Sequence, residues 1–212
     1  MTRTRIKVCG LTRVVDVEAA VDAGVDAIGL VFYPPSPRHV TTGQAAELAR
    51  HIPPFVSTVG LFVNASRDDV RRILDAVPLS TLQFHGDEPP EACTGHGLPW
   101  IKATRVRPET DLLEFARLYA EASGILLDAD SALYGGSGHT FDWSLVPLGL
   151  GRRLILSGGL TPANVEEAVR CVRPWAVDVS SGVEALQDGK TIKGVKDAVR
   201  MAAFISGVRN AD

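Results

Sequence analysis

The chain has 212 residues, of which 45% are hydrophobic and 22% are charged, and its formal net charge is −3 at pH 7. This balance is typical of a globular protein with ample apolar side chains for a core, and the length fits one domain or two small ones. The charges are dispersed, and no apolar segment approaches the about 20 residues that span a bilayer, so we expect neither a nucleic-acid partner nor a membrane partner.

The three cysteines, Cys9, Cys93 and Cys171, are odd in number and widely spaced. This pattern fits neither a disulfide framework nor a zinc site, and the histidines lack the spacing of a ligand pair, so we predict no metal. Free thiols indicate a reducing compartment, and the first residues lack the apolar stretch of a signal peptide. We therefore predict a cytoplasmic protein.

Eight short apolar runs recur along the chain, and most of them end in Gly, Asp, Ser or Asn. They are nearly continuous rather than alternating, which is typical of strands buried on both faces. The predicted strands cover residues 6–10, 26–33, 55–63, 80–86, 100–106, 124–130, 154–159 and 176–182.

Apolar residues at helical spacing lie between most of these strands. Ser66 is predicted to cap one helix, and Thr161 with Pro162 to begin another. The segment after residues 80–86 is a weak helix candidate, and a long glycine-rich loop follows residues 124–130. The predicted stripes are Val17/Ala20/Val21, Ala45/Leu48/Ala49, Val70/Ile73/Leu74, Leu112/Phe115/Ala116/Tyr119, Val165/Ala168/Val169/Val172 and Ile192/Val195/Val199/Ala202.

Strands that alternate with helices over about 200 residues predict an α/β fold, a single-domain parallel (β/α)8 TIM barrel over residues 1–212. A doubly wound open sheet is the alternative, but it usually carries G-x-G-x-x-G after its first strand. Here that position reads "CGLTRV", and no linker divides the chain.

Five side chains that can do chemistry lie at or near the ends of these strands, where the active sites of such barrels are found. They are Cys9, Arg38, His85, Asp128 and Asp178.

The cysteine and the aspartate after the sixth run have both structural and catalytic interpretations. Cys9 is either an inert buried residue or a thiol that faces a cavity, where Lys7 on the same strand face would favour its thiolate. Asp128 follows three apolar residues, where burial disfavours the charged form and suits a general acid. A helix cap or an ion pair is its alternative role.

The other three residues are candidates for ligand binding. Arg38 follows three prolines and is suited to grip a carboxylate, although a solvated arginine is the alternative. His85 either hydrogen-bonds a ligand or is a satisfied histidine at the rim. Asp178 either faces a ligand, orients a neighbouring residue, or is a structural buried acid.

Two adjacent loops have the composition of a phosphate site. "LILSGGLTPANV" contains Gly158 and Gly159, and "VDVSSGVE" contains Ser180, Ser181 and Gly182. Small residues let backbone N–H groups approach a ligand closely, and in barrels the loops after strands seven and eight often hold a phosphate. The loop "SALYGGSGHTFDW", with its glycine-rich centre, is a candidate to close over a ligand; that centre comprises Gly135, Gly136, Ser137 and Gly138.

Together these segments resemble the phosphoribosylanthranilate isomerase family of tryptophan biosynthesis. The resemblance runs in order through "IKVCGLTR", "GLVFYPPSPR", "VGLFVN", "QFHGDE", "GGSGHTFDW", "LSGGLTPANV" and "AVDVSSGVE". It implies a cofactor-independent (β/α)8 enzyme that converts N-(5-phosphoribosyl)anthranilate into 1-(2-carboxyphenylamino)-1-deoxyribulose 5-phosphate by an Amadori rearrangement. Its implied partner is this small phosphosugar, and monomer and homodimer both remain open.

The resemblance also implies a role for each candidate residue. Cys9 becomes the general base, Asp128 the general acid, and Arg38 the residue that faces the anthranilate carboxylate. His85 and Asp178 line the pocket. The glycine and serine loops named above hold the phosphate.

Three positions depart from the family pattern. His139 replaces a lysine, Phe84 replaces a leucine, and no acid directly follows Lys190 or Lys193, where the family often has G-x-K-D.

Two other functions remain as alternatives. The related isomerase of histidine biosynthesis is expected to carry aspartate where this chain has Cys9. A barrel that binds phosphosugars without converting them is the second alternative, although the complete acid and base positions argue against it.

Overall fold

The computed structural model describes residues 3–129 and 141–212. Eight parallel strands form a closed barrel in chain order, and β1 pairs with β8 to close it, as predicted. The strands are β1 (Arg5–Cys9), β2 (Ala27–Val31), β3 (Ser57–Phe62), β4 (Thr81–Phe84), β5 (Trp100–Val106), β6 (Gly124–Ala129), β7 (Leu154–Leu156) and β8 (Ala176–Val179).

Helices alternate with the strands around the outside of the barrel. After β6 two 3-10 helices, Trp143–Leu145 and Leu148–Arg153, occupy the place of a regular helix. The α-helices are α1 (Val14–Asp22), α2 (Thr42–Arg50), α3 (Arg67–Leu74), α4 (Pro90–Cys93), α5 (Leu112–Leu118), α6 (Val165–Val172) and α7 (Ala198–Ala211).

The core consists of one large cluster between the strands and the helices and two smaller clusters inside the barrel. Because successive side chains of a strand point to opposite faces, every buried strand contributes to both regions. One inner cluster contains Ile101, Leu126 and Ile155, and the other contains Cys9 and Leu61. Cys9 is therefore an inward-facing residue at the end of its strand.

An antiparallel hairpin follows β8, made of β9 (Glu184–Gln187) and β10 (Lys190–Lys196). The predicted helical stripe that begins at Ile192 and Val195 is therefore wrong over these two residues, since α7 starts only at Ala198. The first four residues of β10 are exposed, so burial does not impose a period on them. The spacing of two isolated apolar residues was consistent with a helix by chance.

The two predicted helix starts have different outcomes. Ser66 caps α3, and its side chain accepts a hydrogen bond from the N–H of Asp69, as predicted. The prediction for Thr161 is wrong by three residues, because α6 begins after Asn164. Thr161 instead opens a turn, in which its carbonyl accepts the N–H groups of Asn164 and Val165.

The two ends of the described chain meet beside the strand pair that closes the barrel. The Asp212 carboxylate accepts hydrogen bonds from the backbone N–H of Thr4 at 2.9 Å and from its hydroxyl at 2.7 Å. Arg209 also donates to the Thr4 carbonyl at 2.9 Å. Within residues 3–129 and 141–212, no helix has the length and apolar character needed to cross a membrane.

Candidate active site

The Cys9 thiol lies in a space that a neighbouring glycine leaves open. Cys9 pairs in register with Gly29 on β2, and a Cβ atom added at Gly29 would lie 2.6 Å from the Cys9 Sγ. A side chain at position 29 would thus collide with the thiol. The strand ends on a buried cysteine whose sulfur faces inward at the carboxyl end of the barrel.

A buried ion pair lies next to this thiol. Lys7 and Asp178 are in register on β1 and β8, and the Lys7 Nζ is 2.9 Å from the Asp178 Oδ1. Burial opposes the charge on Lys7, but Asp178 and Cys9 outweigh it and raise the pKa of this ammonium group. Asp178 therefore orients Lys7, one of the roles predicted for it.

The thiol itself is mostly protonated at neutral pH in this arrangement. Burial raises the pKa of Cys9, Lys7 lowers it, and the Asp178 carboxylate raises it again, with a net increase. Lys7 does favour the thiolate, as expected from the sequence, but it does not overcome burial. A base at this position is therefore present in the free protein only as the minor, ionised form of the thiol.

Asp128 ends an inward-facing row on β6, and its carboxylate is held at both oxygens. Oδ1 accepts the backbone N–H of Ala129 at 2.9 Å, and Oδ2 lies 3.2 Å from the Nε2 of His85. A Cβ atom at Gly158 would collide with the Ala129 nitrogen and lie 2.9 Å from Oδ1. The Asp128 carboxylate therefore fits at this position because Gly158, at φ +81°, has no Cβ atom.

His85 connects Asp128 to a residue that the sequence analysis did not single out. Its Nδ1 lies 2.9 Å from the Nε2 of Gln83, which is fully buried inside the barrel on β4. The three side chains form one hydrogen-bonded row, from Gln83 through His85 to Asp128. A glutamine within an apolar run, two residues before the histidine, was the signal available in the sequence.

Arg38 is buried and forms a forked ion pair with Glu184. Its Nε lies 2.6 Å from Oε1 and its Nη2 lies 2.8 Å from Oε2 of that carboxylate. Gly10, at φ +74°, makes room for it, since a Cβ there would lie 2.5 Å from the Arg38 Cδ. Arg38 is thus not the solvated arginine that was its alternative interpretation.

Glu184 is also bound by the end of the hairpin. Its Oε1 accepts the N–H of Gly194 at 2.9 Å and lies 3.2 Å from the Nζ of Lys196. Burial lowers the pKa of Lys196 to about 8, and Glu184 opposes this effect while Arg38 adds to it. Because this pKa lies above 7, the Lys196 ammonium group is still mostly protonated at neutral pH.

The third departure from the family pattern, the missing G-x-K-D, is wrong. No acid follows Lys190 or Lys193, but residues Gly194 to Asp197 read G-V-K-D, so the pattern is present with Lys196 as its lysine. The Lys196 Nζ donates to the Ser180 carbonyl at 2.9 Å and lies 3.4 Å from its hydroxyl. The motif thus joins Glu184 to the first residue of a predicted phosphate loop.

The two predicted phosphate loops pack directly against each other. A Cβ at Gly182 would collide with the Leu160 carbonyl, so only glycine fits there. Gly158 and Gly159 have φ angles of +81° and +65°, which glycine adopts without strain. Asn164 fixes this turn by donating to the Gly159 carbonyl at 3.0 Å.

One predicted element lies outside the described residues, namely the loop with Gly135, Gly136, Ser137, Gly138 and His139. In the part of the chain that the structure describes, no group of three acidic, histidine or cysteine side chains is placed to hold a metal ion.

Comparison with known proteins shows to which family the chain belongs. The family model for N-(5'-phosphoribosyl)anthranilate isomerase matches residues 6–207. The chain belongs to the phosphoribosylanthranilate isomerase family. It therefore catalyses the isomerisation of N-(5-phosphoribosyl)anthranilate in tryptophan biosynthesis.

Several named relatives are similar to the chain over nearly its whole length. An N-(5'-phosphoribosyl)anthranilate isomerase of Ralstonia nicotianae is 58% identical, covering 99% of this chain and 94% of that protein. One of Thiobacillus denitrificans is 61% identical, covering 95% and 96%. This family membership excludes the histidine-pathway isomerase and the phosphosugar-binding barrel without activity.

Solved structures of the family have the same fold. Phosphoribosylanthranilate isomerase of Thermotoga maritima is 43% identical with a TM-score of 0.87, covering 98% of this chain and 99% of that one. A second structure, 40% identical with a TM-score of 0.83 and the same coverage, is a complex with reduced 1-(o-carboxyphenylamino)-1-deoxyribulose 5-phosphate.

Proposed function

We propose that Cys9 and Asp128 are the base and the acid of this isomerisation. The observation that carries the proposal is their placement. Both side chains face inward near the same end of the barrel, on β1 and β6, and each occupies a space kept open by a glycine, Gly29 or Gly158. The chemistry needs one group that donates a proton and one that removes a proton from carbon.

The two steps distribute the protons as follows. Asp128 donates a proton to the furanose ring oxygen, the bond from that oxygen to C1 breaks, and the nitrogen lone pair forms a C1=N iminium. The Cys9 thiolate removes the proton from C2, and the C2–H electron pair forms a C1=C2 bond as the C=N electrons return to nitrogen. The enolamine then tautomerises to the ketone. A thiolate is strongly nucleophilic and basic, which suits the second step.

The substrate is anchored at its two anionic ends in this proposal. Arg38 contacts the anthranilate carboxylate through Nη1, since Nε and Nη2 are bonded to Glu184. The 5-phosphate lies on the backbone of the two adjacent loops that contain Gly158, Gly159, Ser180, Ser181 and Gly182. His85 and Asp178 act through Asp128 and Lys7 in the same pocket.

Four wider predictions stay open beside these roles. We infer that residues 1–212 form one domain and that the protein acts in the cytoplasm without a nucleic-acid partner. Monomer and homodimer are both compatible with the chain.

Two variants assayed with N-(5-phosphoribosyl)anthranilate test the proposed roles. The loss of substrate fluorescence follows turnover. Cys9→Ala should abolish turnover because the base is gone, and Asp128→Asn should lower it by about 10² to 10⁴ because general acid catalysis is worth that much.

Binding of the reduced product analogue, measured by calorimetry, is the control for both variants. Neither substitution removes an anchor, so both variants should bind the analogue within about threefold of the parent. Parental turnover in Cys9→Ala or in Asp128→Asn would contradict the assigned role of that residue. Loss of analogue binding in both variants would show that they disturb the pocket and not the chemistry.

A further inference from the structure

The Gln83 side chain is an unusual group to find inside the barrel. It is fully buried, and its register neighbours, Leu61 on β3 and Ile101 on β5, are apolar. Its Nε2 has a partner in His85, but its Oε1 has none among the described residues. A buried amide oxygen without a partner has lost its hydration and gained no hydrogen bond, so this orientation of the amide has a cost.

The observed orientation determines where the protons of the neighbouring pair lie. The Nε2 of Gln83 donates, so the Nδ1 of His85 has to accept and carries no proton. The histidine proton is then on Nε2, which donates to the Asp128 Oδ2 at 3.2 Å. In this state His85 and Asp128 together hold one proton, and Asp128 is a carboxylate.

A rotated amide reverses this arrangement. If the amide turns by 180°, the Gln83 Oε1 faces Nδ1 and accepts a hydrogen bond from the Nδ1–H group, which also satisfies the orphaned oxygen. The His85 Nε2 and the Asp128 Oδ2 then share a second proton between them. The pair now holds two protons and contains the acid that the proposed reaction needs.

We propose that Gln83 is a positioning residue whose amide orientation sets whether the His85–Asp128 pair holds one proton or two. The proposal rests on the acid role of Asp128 in the proposed function. Gln83 does not touch the reacting atoms. It acts by selecting the tautomer of His85, and its rotation accompanies the uptake of the proton that Asp128 donates.

Few other charged groups surround this row on the described elements. Arg105 on β5 is in register with Asp128, and Glu88, paired with Lys102 at 2.7 Å, lies beyond the end of β4 with Asp87. The neighbouring end of β7 contributes Ser157 and Gly158, which carry no charge. All of these groups are unchanged in the variants below, so a shift between variants reports Gln83.

A direct test reads the histidine tautomer without any catalysis. In the parent protein with 15N-labelled histidine, NMR at neutral pH should find the His85 Nδ1 unprotonated and Nε2 protonated. Gln83→Glu presents only acceptors, so Nδ1 should become protonated. Gln83→Met presents neither donor nor acceptor, so the two tautomers should mix. A protonated Nδ1 and a bare Nε2 in the parent would overturn the proposal.

Kinetics of the same variants separate positioning from mere packing. Gln83→Met should lower kcat by about 10- to 100-fold with little change in KM, as expected for a supporting contact of the acid. Gln83→Glu should recover most of that loss, because its carboxylate accepts a hydrogen bond from the Nδ1–H group as the rotated amide does.

Several results with these variants would overturn the proposal. If both variants keep the parental kcat, or if both lose activity equally, the proposal is wrong. If Gln83→Met does not fold, Gln83→Asn replaces it, because its shorter amide does not reach Nδ1 and should behave in the same way. If Gln83→Glu does not fold, the tautomer of the parent protein still decides the proposal. Parental turnover in Asp128→Asn, together with the expected tautomer in the parent, would contradict the proposed function and leave the tautomer assignment intact.

Discussion

At the scale of single residues, the site balances opposite charges around a thiol that is neutral at rest. Lys7 and Asp178 are both buried, and a buried pair of this kind is costly to break because the partner left behind has no compensation. The pair also acts on Cys9 in both directions, since Lys7 favours the thiolate and Asp178 opposes it. The basicity of the thiol therefore depends on which member of the pair is present.

Replacing the lysine should make the thiol harder to ionise. In Lys7→Met the Cys9 pKa should rise further, because the favourable charge is lost and the Asp178 carboxylate remains. The rate of alkylation by iodoacetamide against pH measures this, in a Cys171→Ala background because Cys171 is exposed. Mapping of the alkylated peptides distinguishes Cys9 from Cys93, whose pKa burial raises to about 11.

Lys7→Met combined with Asp178→Asn is the matched control for that experiment. It removes both charges, so the thiol should ionise between the parent and the single variant. A Lys7→Met protein whose thiol ionises at lower pH than the parent would show that Lys7 does not favour the thiolate.

The pH profile of turnover should report the ionisation of the proposed base. In the parent, kcat/KM should rise from low pH because Cys9, whose pKa is raised, ionises only as pH increases. Asp128→Asn retains Cys9, so its residual kcat/KM should rise over the same pH range. A rise at a clearly different pH in that variant would mean that another group is the base.

At the scale of elements, glycines on one strand or loop make room for functional side chains on another. Gly29 on β2 accommodates Cys9 on β1, Gly158 after β7 accommodates Asp128 on β6, and Gly10 accommodates Arg38. The position of each of these three side chains therefore depends on a second segment of the chain.

Gly29→Ala tests this dependence. The added Cβ would lie 2.6 Å from the Cys9 Sγ and 3.0 Å from its Cα, so β1 has to shift. We expect kcat to fall at least about tenfold, because a displacement of about 1 Å at a reacting group costs that much or more. Gly43→Ala on α2 is the control, since nothing lies within 4 Å of the added atom. Equal activity of the two variants in the fluorescence assay would rule out the steric argument.

The β9–β10 hairpin should contribute to stability as well as to the site. Glu184→Ala leaves Arg38 and Lys196 buried without their shared partner, so the free energy of unfolding should fall by about 3–5 kcal/mol. Glu47→Ala removes an exposed pair with Arg50 and should change it by less than about 1 kcal/mol. Urea unfolding of both variants measures the difference. A similar small change in Glu184→Ala would mean that the cluster is weakly coupled to the fold.

The sequence predicted the barrel and the members of its site better than the contacts between them. The eight strands could be recognised in the sequence because burial on both faces makes them continuous apolar runs. The hairpin was not, because β10 is mostly exposed and one of its few buried residues is the charged Lys196. Arg38 was singled out, but its partner Glu184 is 146 residues away, and no local pattern encodes that pairing.

Gln83 and the net effect on Cys9 were beyond sequence patterns for a different reason. A polar residue in a strand usually faces solvent, so the burial of Gln83 required the closed barrel to be known. The pKa of the thiol is a sum of opposing effects whose balance depends on distances. Lys7 was predicted to act in one direction, and only the structure includes Asp178 and burial in the sum.

At the scale of the whole molecule, the barrel closes where its first and last strands meet. β1 and β8 pair along four residues each, and α7 secures the seam through Arg209 and Asp212 to Thr4. The Lys7–Asp178 pair lies within this seam, between residues 171 positions apart. The site and the last strand pairing of the barrel thus share the same atoms.

Because the site includes this strand pairing, the recovery of activity during refolding should report when β1 and β8 pair. Bringing together residues so distant along the chain is entropically costly, whereas the helices depend on local contacts. After dilution from urea, far-UV ellipticity should recover first, and activity should recover later at the rate at which Cys9 becomes protected from alkylation. Activity that returns together with ellipticity would contradict this order. A sample quenched after ellipticity has recovered and before activity has recovered would contain molecules with native helices but without the pairing of β1 and β8. In these molecules Cys9 still reacts as an ordinary thiol.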